Sequence, residues 1–132
     1  MDMQLSLARF HEILSWYGIM AGIISGAFLG LFFQKRDWLG GYASFERRLL
    51  RLGHIAFFGF AFLNHLLASG LQHLFVLTDS RLELISNCFL LATITMPLVC
   101  MLCARWKRCY FLFPIPVVSA MLSLLLIIIS FE

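Results

Sequence analysis

Two histidines lie in one apolar stretch, "GHIAFFGFAFLNHLL", as His54 and His65. Eleven residues at 100° each bring them within about 20° around a helix axis and separate them by about 16 Å along it. Phe58, Ala61 and Ala68 share that face. A neutral imidazole ligates haem iron, chlorin magnesium, copper or zinc. Ala61, one turn before His65, leaves room for a flat macrocycle, so haem b or a chlorin is the cofactor to consider. The candidate axial ligands are His65, with His54 or His11 assisting. The later apolar stretches hold no histidine, and His73 falls in a loop. His11 is therefore the natural second ligand, although it is expected near the outer boundary, about two turns from His65 in depth. The competing reading has Asn64 and His65 hydrogen-bonding to Asn87, Thr93 or Ser123 and specifying how helices pack. An outer-face metal site would draw on His11, Glu12, His73, Asp79 and Glu83, but their spacing matches no ligand pattern.

Other chemistry is sparse. Cys100 and Cys103 share a helix face, yet no second CxxC follows, and they read as small apolar residues. Cys88 and Cys109 add no pairing pattern, so no disulfide is expected. The apolar stretches hold no carboxylate that would relay protons or couple a cation. No phosphate-binding glycine loop or nucleophile elbow occurs. No independent catalytic activity is expected.

A second pattern is "GIMAGIISGAFLG", with Gly18, Gly22, Gly26 and Gly30 at every fourth position. Residues four apart share a helix face. In lipid, helices associate by close backbone packing, which small residues permit. The stripe is thus a helix-packing surface, for a neighbour in the same chain or for another subunit; a porphyrin or chlorin lying on the bare backbone is the alternative.

The elements that carry these residues follow from composition. Of 132 residues, 61% are hydrophobic and 13% charged, whereas soluble domains are about half apolar and a quarter charged. Four runs, Ile13–Phe33, Leu52–Leu71, Leu84–Ala104 and Tyr110–Phe131, contain no Asp, Glu, Lys or Arg. Each has the roughly 20 residues that cross a 30 Å hydrocarbon core as a helix. The expected fold is all-α, a single polytopic membrane domain over residues 1–132. It is a four-transmembrane-helix antiparallel bundle with spans near 13–33, 50–71, 83–104 and 110–131. The first run is too long for the apolar core of a cleavable signal and is expected to be retained.

Eight of the ten basic residues (Lys35, Arg36, Arg47, Arg48, Arg51, Arg105, Lys107 and Arg108) flank one end of the spans. Only Arg9 and Arg81 fall at the other. The positive-inside bias puts the eight in the cytoplasm and both termini outside, as in a bacterial inner membrane. The net charge of +3 then reports topology and anionic headgroups rather than nucleic acid.

Local signals complete the outline. Gly40-Gly41 breaks the chain, and Ser44 with Glu46–Arg48 opens a turn into span two. Trp38, Tyr42 and Phe45 suit an aromatic belt. Thr78 or Asp79 caps span three. Pro97 frees the Thr93 carbonyl and kinks that span, with Thr93 and Thr95 available to re-satisfy the backbone. Pro114 and Pro116 are tolerated at the start of span four.

The functional expectation is a small accessory or anchor subunit, packing through its glycine stripe into a larger respiratory or photosynthetic electron-transport assembly. Its partners are the bilayer and other membrane subunits or further copies of itself. A b-type haem or pigment protein using His65 is the first alternative, and a small carrier or channel the second.

Overall fold

The computed structural model describes residues 2–73 and 78–130, with backbone only at positions 2 and 73. It is all-helical: α1 is Asp2–Phe33, α2 Phe45–His73, α3 Asp79–Arg105 and α4 Pro114–Ile129. Short 3₁₀ turns at Trp38–Gly40 and Lys107–Leu112 join the pairs at the basic end. All four helices, the last taken with its preceding turn, are long and apolar enough to cross a membrane. Residue 131, the expected end of span four, and residue 132 lie outside the described residues.

Sequence and structure differ most in α1. Its 32 residues make a rod about 48 Å long, beginning eleven positions before the expected span. "DMQLSLARFHE" has no proline or glycine to stop it, and Gln4 Nε2 ties its start to the Leu71 carbonyl of α2 at 2.6 Å.

The helices pack in chain order, α1 on α2, α2 on α3 and α3 on α4, with a lighter contact between α1 and α3. They alternate in direction, since Gly18 meets Ala61 while Gly26 meets His54. Among the described residues, α4 packs substantially on α3 alone. The array is therefore an open antiparallel row, less closed than a four-cornered bundle.

Polar and apolar residues are distributed inside out. His11, Ser15, Asn64, Ser86, Ser119 and Ser123 are buried, whereas Trp16, Ile23, Ile55, Leu125 and many other large apolar side chains are exposed. The apolar core forms two clusters, Ala8, Leu67, Leu71, Leu82, Ile85 and Phe89 toward one end and Leu49, Val99, Cys103 and Ala104 toward the basic end. Small residues set the other contacts. A Cβ at Gly53 would lie 3.1 Å from Cys100 Cβ and 3.3 Å from the Pro97 carbonyl oxygen, so α2 and α3 meet there nearly backbone to backbone. Ser123 Oγ donates to the Ile85 carbonyl at 3.0 Å, joining α4 to α3.

Helix α3 runs through Pro97 without interruption. Thr93 and Thr95 do not serve the carbonyl that Pro97 frees: their hydroxyls donate to Phe89 and Leu91, four residues back. Thr78 occupies the N-cap position of α3 without a side-chain cap bond. Ser44 does cap α2, accepting from the Arg47 amide at 3.2 Å. Before it, Gly40 and Gly41 have φ of 80° and 93°, a region that glycine enters at little cost.

Candidate functional site

Helix α1 buries Ala8, His11, Ser15, Gly22 and Leu29, a seam advancing by steps of three, four and seven residues. This is the spacing of two helices wrapped around each other, in which a strict every-fourth stripe drifts off the contact. Gly30 accordingly falls outside it: nothing lies within 4 Å of a Cβ placed there. The other three glycines face α2. A Cβ would stand 2.9 Å from Ala61 Cβ at Gly18, 2.7 Å from the Phe58 ring at Gly22 and 2.7 Å from His54 Cε1 at Gly26. The stripe is thus covered by α2 of the same chain through Gly26.

Followed toward the N-terminus, the same seam reaches His11, which is fully buried. Its partners fix an order of hydrogen bonds across three helices. Thr93 Oγ1 donates to the Phe89 carbonyl at 2.8 Å. Asn64 Nδ2 donates to Thr93 Oγ1 at 2.9 Å and to the Phe60 carbonyl at 2.7 Å. The Asn64 amide oxygen is left to accept from His11 Nδ1, 2.7 Å away. In the neutral imidazole, Nε2 then accepts from Ser86 Oγ at 2.9 Å. Phe89 meets the ring edge-on, with centroids 6.1 Å apart. Among the described residues, no buried side-chain nitrogen or oxygen lacks a partner.

This geometry bears on His11 as a candidate axial ligand. Both ring nitrogens are engaged, and Nε2, the one able to coordinate a metal, is occupied by Ser86. The depth expected for His11 is corrected, because it stands level with Asn64. The contact of Gly18 with Ala61 sets the register between α1 and α2.

His65 occupies a different environment. Positions 54, 61 and 68 repeat by heptads, and the intermediate step lands on Asn64 toward the core and on His65 toward the outside. His65 is exposed and lines an apolar groove of about 370 Å³ with Ser15, Trp16, Ile19, Phe58 and Phe62. It forms none of the expected bonds to Asn87, Thr93 or Ser123: Asn64 holds Thr93, Ser123 is committed to Ile85 and Asn87 is exposed. His54 lies over Gly26, with Nδ1 3.0 Å from Ser25 Oγ. The Ser25 hydroxyl already donates to the Gly22 carbonyl at 2.9 Å, so His54 is the donor of that pair. The structure therefore does not bring His11, His54 and His65 to one point.

Among the described residues, no three His, Cys, Asp or Glu side chains converge on a point that would hold a metal ion. Of the outer-face set, the His73 side chain lies outside the described residues and His11 is committed to Asn64 and Ser86. The four cysteines are free thiols, and Cys100 and Cys103 are buried.

Arg47, one of the eight cations expected at the cytoplasmic end, is only 3% exposed. Its guanidinium donates to the carbonyls of Lys35, Arg36 and Trp38 and lies 5.3 Å from the Trp38 ring centroid. A planar fork with several donors suits such convergent carbonyls. The same loop holds Leu39 in the left-handed region, at φ 51°. Arg51 sits 4.4 Å above the Tyr42 ring, and Lys107 reaches Glu46 at 3.2 Å, joining the two loops of the basic end.

Compared with known proteins, the chain matches no family model, no curated protein and no solved structure.

Proposed function

We propose that this chain is a small non-catalytic integral membrane subunit that anchors a larger assembly, with its basic loops in the cytoplasm and both termini outside. The observation that carries this reading is the open row of helices. Among the described residues, α4 packs substantially on α3 alone and leaves Val118, Met121, Leu122 and Leu125 bare. The interior polar groups, meanwhile, are spent on bonds within the chain. A rigid insert with bare apolar flanks suits packing against other membrane proteins. With Gly18, Gly22 and Gly26 already covered, the partner-facing surface is the flank of α4 rather than the stripe.

An electron-transport complex is the proposed host. Its support is His65, which has no hydrogen-bond partner among the described residues and opens on an apolar groove. The same observation favours a second reading, in which His65 ligates a haem or chlorin whose other ligand comes from a neighbour.

Gentle solubilisation of native membranes, followed by purification and mass measurement, tests the first reading. A stoichiometric complex is expected that Met121→Arg dissociates while the free subunit stays folded. A lone monomer, or a complex indifferent to the α4 substitution, overturns it. The visible spectrum tests the second: a Soret band lost in His65→Ala supports it, and a colourless complex removes it.

A further inference from the structure

Helices α1 and α3 touch through His11 and Ser86 and separate toward the basic end, where α2 forms the floor between them. The opening is a cleft of about 490 Å³. Ala21, Ser25 and Phe28 of α1, Phe57 of α2 and Met101 of α3 line it, and Trp38 stands at its basic end. The lining is almost wholly apolar. Its one hydroxyl, Ser25, is already bonded to the Gly22 carbonyl and to His54.

Trp38 is held from both sides. It stacks on Phe32 with centroids 5.0 Å apart, and Arg47 binds its carbonyl and ring. Cations crown this end. Lys35 Nζ lies 5.7 Å from the Phe32 ring centroid, and exposed Arg105 follows Met101 by one helical turn on the same face.

We infer that this cleft binds one anionic glycerophospholipid, with an acyl chain between α1 and α3 and the phosphate headgroup at Lys35 and Arg105. Charge complementarity selects this occupant. An almost wholly apolar slot takes an alkyl chain. The cationic rim discriminates by headgroup, since a basic side chain near a membrane surface favours an anionic lipid by about 1 kcal/mol. Two such groups make the preference over a zwitterionic lipid of the same chains at least about tenfold. The inference rests on the bilayer reading and is independent of the accessory-subunit reading.

Trp38 provides the probe. The full chain carrying Trp16→Phe and Trp106→Phe is reconstituted with brominated phosphatidylglycerol or brominated phosphatidylcholine. Phosphatidylglycerol is expected to quench Trp38 at about tenfold lower mole fraction. Adding Lys35→Gln and Arg105→Gln, both on exposed side chains, is expected to bring the two lipids level. Ala21→Phe is expected to lower quenching by both by filling the slot. Equal quenching before the charges are removed overturns the inference, as does quenching by neither lipid, which marks a cleft closed by protein. Retention of a preference after both charges are removed overturns the headgroup assignment. Failure of the chain to sediment with vesicles overturns the bilayer reading itself, a result distinct from the others.

Discussion

The network around Asn64 puts most weight on a residue that carries no charge. Asn64 uses its oxygen and both amide hydrogens, toward His11, Thr93 and the Phe60 carbonyl. Asn64→Leu removes all of these at once and leaves the buried His11 Nδ1 without its partner. A buried polar group stranded in this way costs about 1–3 kcal/mol. His65→Ala deletes no hydrogen bond and is expected to stay within about 0.5 kcal/mol of wild type. Denaturant unfolding in detergent micelles compares the two; equal losses would show that the network does not order the helices. Arg47 makes a similar case. Arg47→Lys keeps the charge but loses the fork, so it is expected to lose about 1–3 kcal/mol, close to the loss in Arg47→Ala. Limited proteolysis in the loop over 34–44 reports the change, and resistance equal to wild type in the lysine variant would refute the clamp. Both residues were present in the sequence as types. Which of them was buried depended on neighbours supplied by distant parts of the chain.

Among the helices, contact is limited by how closely backbones approach. The stripe in α1 grades its own members. At Gly18 the obstacle is Ala61 Cβ, with the Phe57 carbonyl behind it, and neither can swing aside. At Gly22 it is a phenyl ring that can turn, and at Gly30 there is none. Gly18→Leu is therefore expected to destabilise the α1–α2 pair by about 1–3 kcal/mol or more, as overpacked interiors do. Gly30→Leu should be silent, and Gly22→Ala intermediate. Gly53→Leu, which no stripe announces, should separate α2 from α3 as severely as Gly18→Leu separates α1 from α2. Thermal melting of the set in one detergent gives the order; a Gly30 variant as damaged as the Gly18 one would reverse the assignment of faces. The every-fourth pattern was legible because glycine is conspicuous in an apolar run. Gly53 was not, because a single glycine gains meaning only from what stands opposite, here Cys100 and the Pro97 carbonyl.

For the whole molecule, the open row makes two demands. In the proposed membrane setting its outer faces must be apolar, and the two loops at the basic end must stay on one side. With the proposed topology, a reporter inserted after Gly41 is expected to be cytoplasmic. One appended after Glu132 is expected outside, as is a tag placed before Met1. Protease accessibility in sealed vesicles reads all three, and a cytoplasmic tag at either terminus contradicts the orientation. Lys107 and Glu46 bridge the two basic loops, but the pair is solvent-facing, so its loss should leave the topology unchanged.

The sequence by itself determined the class of element. Four charge-free runs of about 20 residues must be helical wherever water is excluded, because the backbone has no other donors and acceptors there. It also marked, through the cations, which ends belong together. Only the tertiary structure decided that His11 rather than His65 enters the core, that Gly30 drops out of its stripe, and that Arg47 is interior. Those outcomes depend on the register between helices and on a seam advancing by threes and fours. A shift of one residue turns a side chain by 100° around its helix, enough to exchange the buried Asn64 for the exposed His65.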